Sequence, residues 1–191
     1  MAAHLNNKGK GFTLIELLVV VVIAAVLLSV AAPSFRDTIE RNRIVSESND
    51  LNAGLSFARS EAIRRNQVLS ICASNADGTA CAADWSTGWM VWADADADST
   101  FDSGEELRAG RIEAADDLAV VDGAGNAITQ VSFGPRGTRV APTDGASFTL
   151  KPDTCASGRP VVRRMIISAA GASLNMCIKC GTEGNVTPTR C

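Results

Sequence analysis

The feature that most constrains this chain is a nearly continuous apolar run near its start, from Phe12 to Ala32. The run has 21 residues, and a helix needs about 20 apolar residues to cross a bilayer. Lys8 and Lys10 precede it, which favours a cytoplasmic N-terminus and an exported C-terminus. A secretory signal peptide would place a small-residue cleavage site after the apolar region instead. We therefore expect residues 12–32 to form a membrane-spanning helix.

One charged residue, Glu16, lies inside the apolar run. A carboxylate within a membrane helix costs about 2.5–3.5 kcal/mol on insertion scales. Either Glu16 reaches the membrane interface, or it has a cationic partner. A cut between Gly11 and Phe12 would create such a cation, the α-amine of Phe12.

The segment KGKGFTLIEL at residues 8–17 resembles the junction between leader and helix in type IV prepilins and pseudopilins. The resemblance implies that a prepilin peptidase cuts after Gly11, removing a leader of residues 1–11, and methylates Phe12. It also implies that Glu16 pairs with the N-terminal amine of a neighbouring subunit during assembly. Pro33 falls where the helix of this family often kinks.

An apolar stripe continues the helix over residues 33–66. Its members recur at steps of three and four, as one face of an amphipathic helix requires. They are Ile44, Ser48, Leu51, Leu55, Ala58 and Ala62. We interpret the stripe as the face that packs on a sheet, with filament contacts as the alternative.

Residues 67–191 change to short β-forming runs separated by turn residues, which indicates a β-rich globular domain. The expected strands are Val68–Ala73, Gly88–Ala93, Leu107–Ile112, Ala127–Phe133, Ser147–Leu150, Val162–Ser168 and Ser173–Ile178. The fold class is therefore α+β, with one long N-terminal helix packed on an antiparallel β-sheet.

Two further segments resemble the GspH/FimT group of minor pseudopilins and minor pilins. Residues 57–66, FARSEAIRRN, are similar to the end of the long helix in that group. Cys72 and the segment DWSTGWMV at residues 84–91 are similar to the hairpin that follows.

The chain has six cysteines, and all of them lie beyond the apolar run. This distribution indicates disulfides formed in an oxidising compartment. They are Cys72, Cys81, Cys155, Cys177, Cys180 and Cys191. Six cysteines allow 15 pairings, so the spacing alone leaves the connectivity open. We favour Cys72–Cys81 across a short polar loop, Cys180–Cys191 at the tail, and Cys155–Cys177 by elimination. The alternative is a zinc site built on Cys177 and Cys180.

The histidine content argues against catalysis. The single histidine, His4, lies in the expected leader, and the chain has no tyrosine. A mature chain without histidine excludes Ser–His–Asp and Cys–His catalysis and histidine-ligated metals. We expect a protein that is not an enzyme and has no cofactor.

An acidic segment has the ligand spacing of a calcium loop. Counted from the first aspartate, acids occupy positions 1, 3, 5, 9 and 12. These residues are Asp94, Asp96, Asp98, Asp102 and Glu105. Position 6 is Ser99, however, where an EF-hand loop needs glycine. A solvated hairpin without metal is the favoured interpretation, and calcium binding is the alternative.

Two residue groups invite a ligand-binding interpretation. Arg163 and Arg164 are adjacent on a strand and should point to opposite faces, as should Trp89 and Trp92. Pilins that bind DNA resemble one another in a Gly-Arg-x-Arg motif, and the matching turn here, GASL at residues 171–174, has no arginine. With a formal net charge of −3, the chain is not expected to bind DNA. We expect the tryptophans to pack in the core.

The hypothesis is a minor pilin or pseudopilin that helps initiate filament assembly. Its expected partners are other pilin subunits, the prepilin peptidase and the inner membrane, with the C-terminal domain in the periplasm. The alternative is a tip module that captures DNA or an exported substrate. The pattern does not separate a type II secretion pseudopilus from a type IV pilus.

Overall fold

The structure, a computed structural model, describes residues 12–155, 158–159 and 161–181, without the side chains of residues 30–34. The described part contains one long helix and nine strands. They are α1 (Leu14–Arg65), β1 (Leu69–Ala73), β2 (Gly88–Ala93), β3 (Glu106–Arg111), β4 (Asp116–Asp122), β5 (Gln130–Phe133), β6 (Arg139–Ala141), β7 (Ala146–Pro152), β8 (Val162–Ile167) and β9 (Ser173–Ile178). The chain divides into two compact units, Met1–Glu40 and Arg41–Cys191.

Helix α1 ends at Arg65, one residue before the expected end. Asn66 adopts a left-handed backbone conformation with φ of 55°, which asparagine tolerates better than most residues. The amides of Asn66 and Gln67 then bond back to the carbonyls of Ile63 and Ala62. Arg64 and Arg65 add positive charge in the last turn, which favours the negative end of the helix dipole.

The membrane span expected for residues 12–32 stays a prediction. In the part of the chain that the structure describes, no helix is both long enough and apolar enough to cross a membrane.

The amphipathic stripe of α1 is confirmed as a core-facing surface. All six predicted members are buried. Ile44, Leu51 and Ala58 have no exposed surface at all, and they join strand residues such as Ile71 and Phe148 in one core. The second half of α1 is therefore stabilised by packing on the sheets.

The strands form two antiparallel sheets where one was expected. The first has the order β3-β2-β1-β5-β6 and the second the order β4-β7-β8-β9. The seven predicted strands all occur, with some ends shifted. Strands β4 and β6 were missed. Strand β4 begins with Asp116 and Asp117, a residue type that is depleted in strands, and β6 has only three residues.

The ring of Trp89 packs between the helix and the first sheet. It is fully buried in the main core. A Cβ atom added to Gly54 of α1 would lie 2.5 Å from this ring, and one added to Gly110 of β3 would also overlap it. Glycine at both positions lets backbone approach the two sides of the indole closely.

The other two tryptophans are also buried, as predicted. The Trp85 Nε1–H donates to the carbonyl of Ile128 at 2.7 Å, and its ring meets the edge of Phe148 with ring centres 5.5 Å apart. Trp92 belongs to a separate small cluster with Cys72 and Met90. The side chains of Trp89 and Trp92 thus lie on opposite faces of β2, which confirms the prediction made from their positions along the strand.

The first predicted disulfide is confirmed. Cys72 in β1 bonds Cys81, with Cα atoms 5.8 Å apart. The backbone supports the bond, because Ser74 and Cys81 form a β-bridge. The bond therefore closes the loop between β1 and β2.

The other two predicted pairings are wrong. Cys155 bonds Cys180, so neither Cys155–Cys177 nor Cys180–Cys191 forms. Cys180 lies beyond β9, where its backbone pairs with Gly158 and Arg159 at 2.9 Å and brings the segment after Cys155 alongside. Cys177 is also in a disulfide, and Cys191 lies outside the described residues.

Candidate functional site

The most exposed apolar surface lies on the first turns of α1. Every residue from 12 to 29 is exposed. Phe12 is 85% exposed and Leu14 83%. The other large apolar side chains exposed there are Ile15, Leu17, Leu18, Val19, Val20, Val21, Val22, Ile23, Val26, Leu27 and Leu28. We call residues 12–28 the apolar sleeve. Exposed apolar patches of this kind mark protein or membrane contacts.

Thr13 and Glu16 form a capping box at the start of the sleeve. The Glu16 Oε2 accepts from the Thr13 amide at 3.2 Å and from the Thr13 hydroxyl at 3.1 Å. In return the Glu16 amide donates to the Thr13 hydroxyl at 3.3 Å. Such reciprocal bonds satisfy amide groups that a helix start leaves without partners.

The capping box was missed in the sequence, although its signal is present. The signature is Ser or Thr followed three residues later by Glu or Gln, just before an apolar run. Thr13-Leu14-Ile15-Glu16 fits it. The Glu16 carboxylate therefore has a structural partner within its own chain, besides any partner in a neighbouring subunit.

Other residues predicted at this end are only partly described. Gly11, the expected cleavage position, lies outside the described residues. Phe12 is described and exposed. The backbone of α1 is helical across Pro33, whose side chain lies outside the described residues, and the kink stays a prediction.

A second polar cluster connects α1 to β4. Arg43 makes two hydrogen bonds of 2.6 Å to the carboxylate of Asp116, whose side chain is fully buried. Glu47, one turn further along α1, accepts from the Glu113 amide at 3.2 Å. Burial is the main cause that raises the pKa of Glu47 to about 7, and the charge of Asp116 adds to it.

The acidic residues predicted as a calcium alternative are only partly brought together. Carboxylate oxygens of Asp94, Asp96 and Asp98 lie within 4.8 Å of one another. Asp102 and Glu105 are not in this group. The five-ligand EF-hand arrangement is therefore not reproduced.

The zinc alternative is excluded by the disulfides. Cys177 and Cys180 are both disulfide-bonded, and a cysteine in a disulfide has no thiolate for a metal.

The two adjacent arginines have different side-chain partners, although both contribute to the lining of one cavity. Arg163 and Arg164 line a cavity of about 140 Å³ together with Ser48 and Asn175. Arg164 donates to the Thr149 hydroxyl at 3.1 Å. Burial lowers the pKa of Arg163. Both side chains are thus engaged within the fold.

Comparison with known families identifies this architecture. Residues 47–171 match the family described as type II transport protein GspH. The chain belongs to the GspH family. Residues 6–32 match the prokaryotic N-terminal methylation motif. The GspH match covers about the last third of α1 and most of both sheets, and the motif covers the apolar sleeve.

Solved structures of minor pilins and pseudopilins share the fold. The minor pilin FimU of Pseudomonas aeruginosa is 26% identical, with a TM-score of 0.52 over 71% of this chain and 89% of that one. The minor pseudopilin EpsH of Vibrio cholerae has a TM-score of 0.50 at 10% identity, over 74% of this chain and 99% of that one. The GspH-family chain is thus α+β and a minor pilin or pseudopilin by family.

A major pilin is similar at sequence level over a shorter stretch. The type IV major alpha-pilin of Moraxella bovis is 42% identical over 48 residues, which is 25% of this chain. The chain spans only 30% of the length of that pilin.

Proposed function

We propose that this GspH-family protein is a minor subunit of a type II secretion pseudopilus or a type IV pilus and helps to initiate filament assembly. The apolar sleeve carries this proposal. A continuous exposed apolar surface is expected to be covered in use, and neighbouring subunits in a filament core would cover it.

The methylation motif supports processing and membrane anchorage before assembly. It covers residues 6–32 and therefore both Gly11 and Phe12. In this proposal the prepilin peptidase cuts after Gly11 and methylates Phe12. The precursor waits in the inner membrane, held by residues 12–32, with its β-rich domain in the periplasm.

The Glu16 carboxylate supplies register between subunits in this proposal. In the isolated chain it accepts hydrogen bonds from Thr13. After cleavage the nearest new cation is the amine of Phe12, which a neighbouring subunit also carries. A charge in an apolar surrounding is costly when it has no partner, so the pairing would favour the arrangement of subunits in which both charges meet.

The protein acts without catalysis and without a cofactor in this proposal. The family is structural, and the chain beyond the leader has no histidine to serve as a general base. A role in capturing DNA has no specific support, because Arg163 and Arg164 are engaged within the fold.

Variants at the capping box test the assembly role of Glu16. Glu16→Gln removes the charge but keeps a side chain that can cap the helix. Glu16→Ala removes both, and Thr13→Ala removes the hydroxyl of the cap alone. We expect Glu16→Gln and Glu16→Ala to reduce incorporation at least tenfold, about 1.4 kcal/mol, and Thr13→Ala to have a much smaller effect.

Incorporation is measured as the fraction of tagged subunit in sheared filaments, with membrane-inserted subunit as the control. All three variants should insert into the membrane like the unchanged chain. Normal incorporation of Glu16→Gln would show that the charge has no role in assembly. A loss in Thr13→Ala equal to that in Glu16→Ala would assign the effect to the cap.

A further inference from the structure

The loop between β2 and β3 concentrates negative charge. Residues 94–105 contain five acidic residues and no lysine, arginine or histidine. They are Asp94, Asp96, Asp98, Asp102 and Glu105. Acidic loops are common without a ligand, so the charge alone assigns nothing.

Three of these carboxylates already have the spacing of ligands to one ion. Oxygens of Asp94, Asp96 and Asp98 all lie within 4.8 Å of one another. Calcium binds oxygen at 2.3–2.6 Å, so two oxygens on the same ion lie at most about 5 Å apart. One ion can therefore contact all three side chains.

Asp94 provides a separate observation that points to a ligand. It is only 6% exposed. Its Oδ2 accepts from the Ser99 amide at 3.1 Å, but its buried Oδ1 has no hydrogen-bond donor among the described residues. A buried carboxylate oxygen without a partner is costly, and a cation beside Asp96 and Asp98 would supply the missing contact.

The other two acidic residues of the loop, Asp102 and Glu105, are not part of this group of three. Glu105 accepts from the Ala95 amide at 2.8 Å and the Asp102 amide at 3.0 Å, and so holds the loop closed. Asp102 is exposed, and its charge interacts with the charges of Asp98, Asp96 and Glu105. The loop thus holds like charges close together, which a bound cation would relieve.

We infer that Asp94, Asp96 and Asp98 bind a divalent cation, and that the ion is calcium. The ligand set is all carboxylate, which suits calcium, magnesium or manganese and not the metals that prefer nitrogen or sulfur. Calcium accepts six to eight oxygens in flexible geometry, whereas magnesium needs near-ideal octahedral geometry. A loop with three carboxylates leaves the remaining positions to water or backbone carbonyls.

The loop also places an aromatic reporter near the site. The ring of Phe101, within the loop, meets the edge of Trp92 with centres 5.9 Å apart. Trp92 lies only two residues before Asp94. Terbium, which takes the oxygen ligands of calcium, should therefore show luminescence sensitised by this tryptophan.

The test is a calcium titration of the full chain in detergent, followed by calorimetry and by displacement of terbium luminescence. We expect a dissociation constant on the order of 10⁻⁴–10⁻³ M, as in extracellular calcium modules. Asp94→Asn and the exposed variant Asp96→Asn should each weaken binding at least tenfold. Asp153→Asn, an exposed aspartate outside the loop, is the matched control and should bind normally.

Three results would overturn the inference. The first is no binding at about 10 mM calcium, roughly ten times the weakest expected constant. The second is equal binding by the unchanged chain and both loop variants. The third is magnesium binding as tightly as calcium, which would reject the assignment of the ion. Asp96→Asn keeps the test valid if Asp94→Asn fails to fold.

Discussion

The protonation of Glu47 makes the stability of the fold depend on pH. Its environment raises the pKa of its carboxyl from 4.5 to about 7, chiefly through burial. Between these two values the folded chain keeps a proton that the unfolded chain releases. The stability of the fold therefore decreases as the pH rises from about 4.5 to about 7.

Glu47→Gln should remove this response. The amide stays neutral and can still accept from the Glu113 amide, so the variant should be more stable than the unchanged chain at pH 8. The side chain is only half-buried, so after allowance for solvent screening we expect about 1 kcal/mol. That corresponds to a rise in Tm of about 2–4 °C, and the difference should shrink at pH 5.

Thermal unfolding followed by circular dichroism at pH 5 and pH 8 measures this effect. Glu113→Gln, an exposed acid nearby, is the control and should follow the unchanged chain at both pH values. An unchanged pH slope in Glu47→Gln would contradict the assignment.

The sequence predicted which helix residues are buried more successfully than it predicted what individual polar residues do. The six stripe residues of α1 were identified from spacing because a helix repeats every 3.6 residues. The burial of Glu47 and its approach to Asp116 depend on β4, a strand that the sequence pattern did not indicate. The capping box has a local sequence signature, Thr13 followed by Glu16, but Glu16 was interpreted only as a charge within an apolar run.

At the scale of the elements, prediction succeeded where the backbone pattern is local. Gly88–Ala93 and Ser173–Ile178 were predicted with the bounds that β2 and β9 have. Strand β4 was missed because Asp116 and Asp117 suppress the strand signal, although Asp116 is held by the helix residue Arg43. The partition into two sheets depends on long-range pairing, for which a single sequence carries no signal.

The disulfide connectivity can be checked directly. Trypsin cuts after Lys179 and so separates Cys177 from Cys180. Under non-reducing conditions we expect a linked pair of peptides, one containing Cys155 and ending at Arg163, the other beginning at Cys180. Mass spectrometry before and after reduction identifies them. A Cys155 peptide linked to the peptide that contains Cys177 would contradict the structure.

The same bond should matter for stability. Replacing Cys155 and Cys180 together by alanine should lower the free energy of unfolding by about 2–4 kcal/mol, because the cross-link restricts the unfolded chain. The bond spans 25 residues and the Cys72–Cys81 bond spans nine. Chemical denaturation should therefore show a somewhat larger loss for the pair at 155 and 180 than for Cys72 and Cys81.

At the scale of the whole molecule, the proposed function requires that the leader is removed. We expect the intact mass of the protein, purified from cells with an active prepilin peptidase, to equal residues 12–191 plus one methyl group. Gly11→Glu should retain the leader, and Glu16→Gln, as the control, should be cleaved normally. A protein that keeps residues 1–11 in these cells would contradict the proposed processing.

The family was readable from sequence because its signal is short and local. The leader junction and the segment 84–91 each carry several specific residues in fixed order, so the GspH assignment needed no tertiary information. The acidic loop was also visible. Which of its carboxylates approach one another, and that Asp94 is buried, depend on how β2 and β3 pair.

The packing of Trp89 between Gly54 and Gly110 has a consequence for how the sequence can change. A larger residue at Gly54 or Gly110 would fit only if Trp89 were replaced by a smaller side chain. A smaller side chain at position 89 would in turn leave a cavity next to both glycines. One position lies on the helix and two on adjacent strands, so the three are separated in sequence but constrained together. In descendants of this chain they should vary as a set, and single replacements at any of them should be rare.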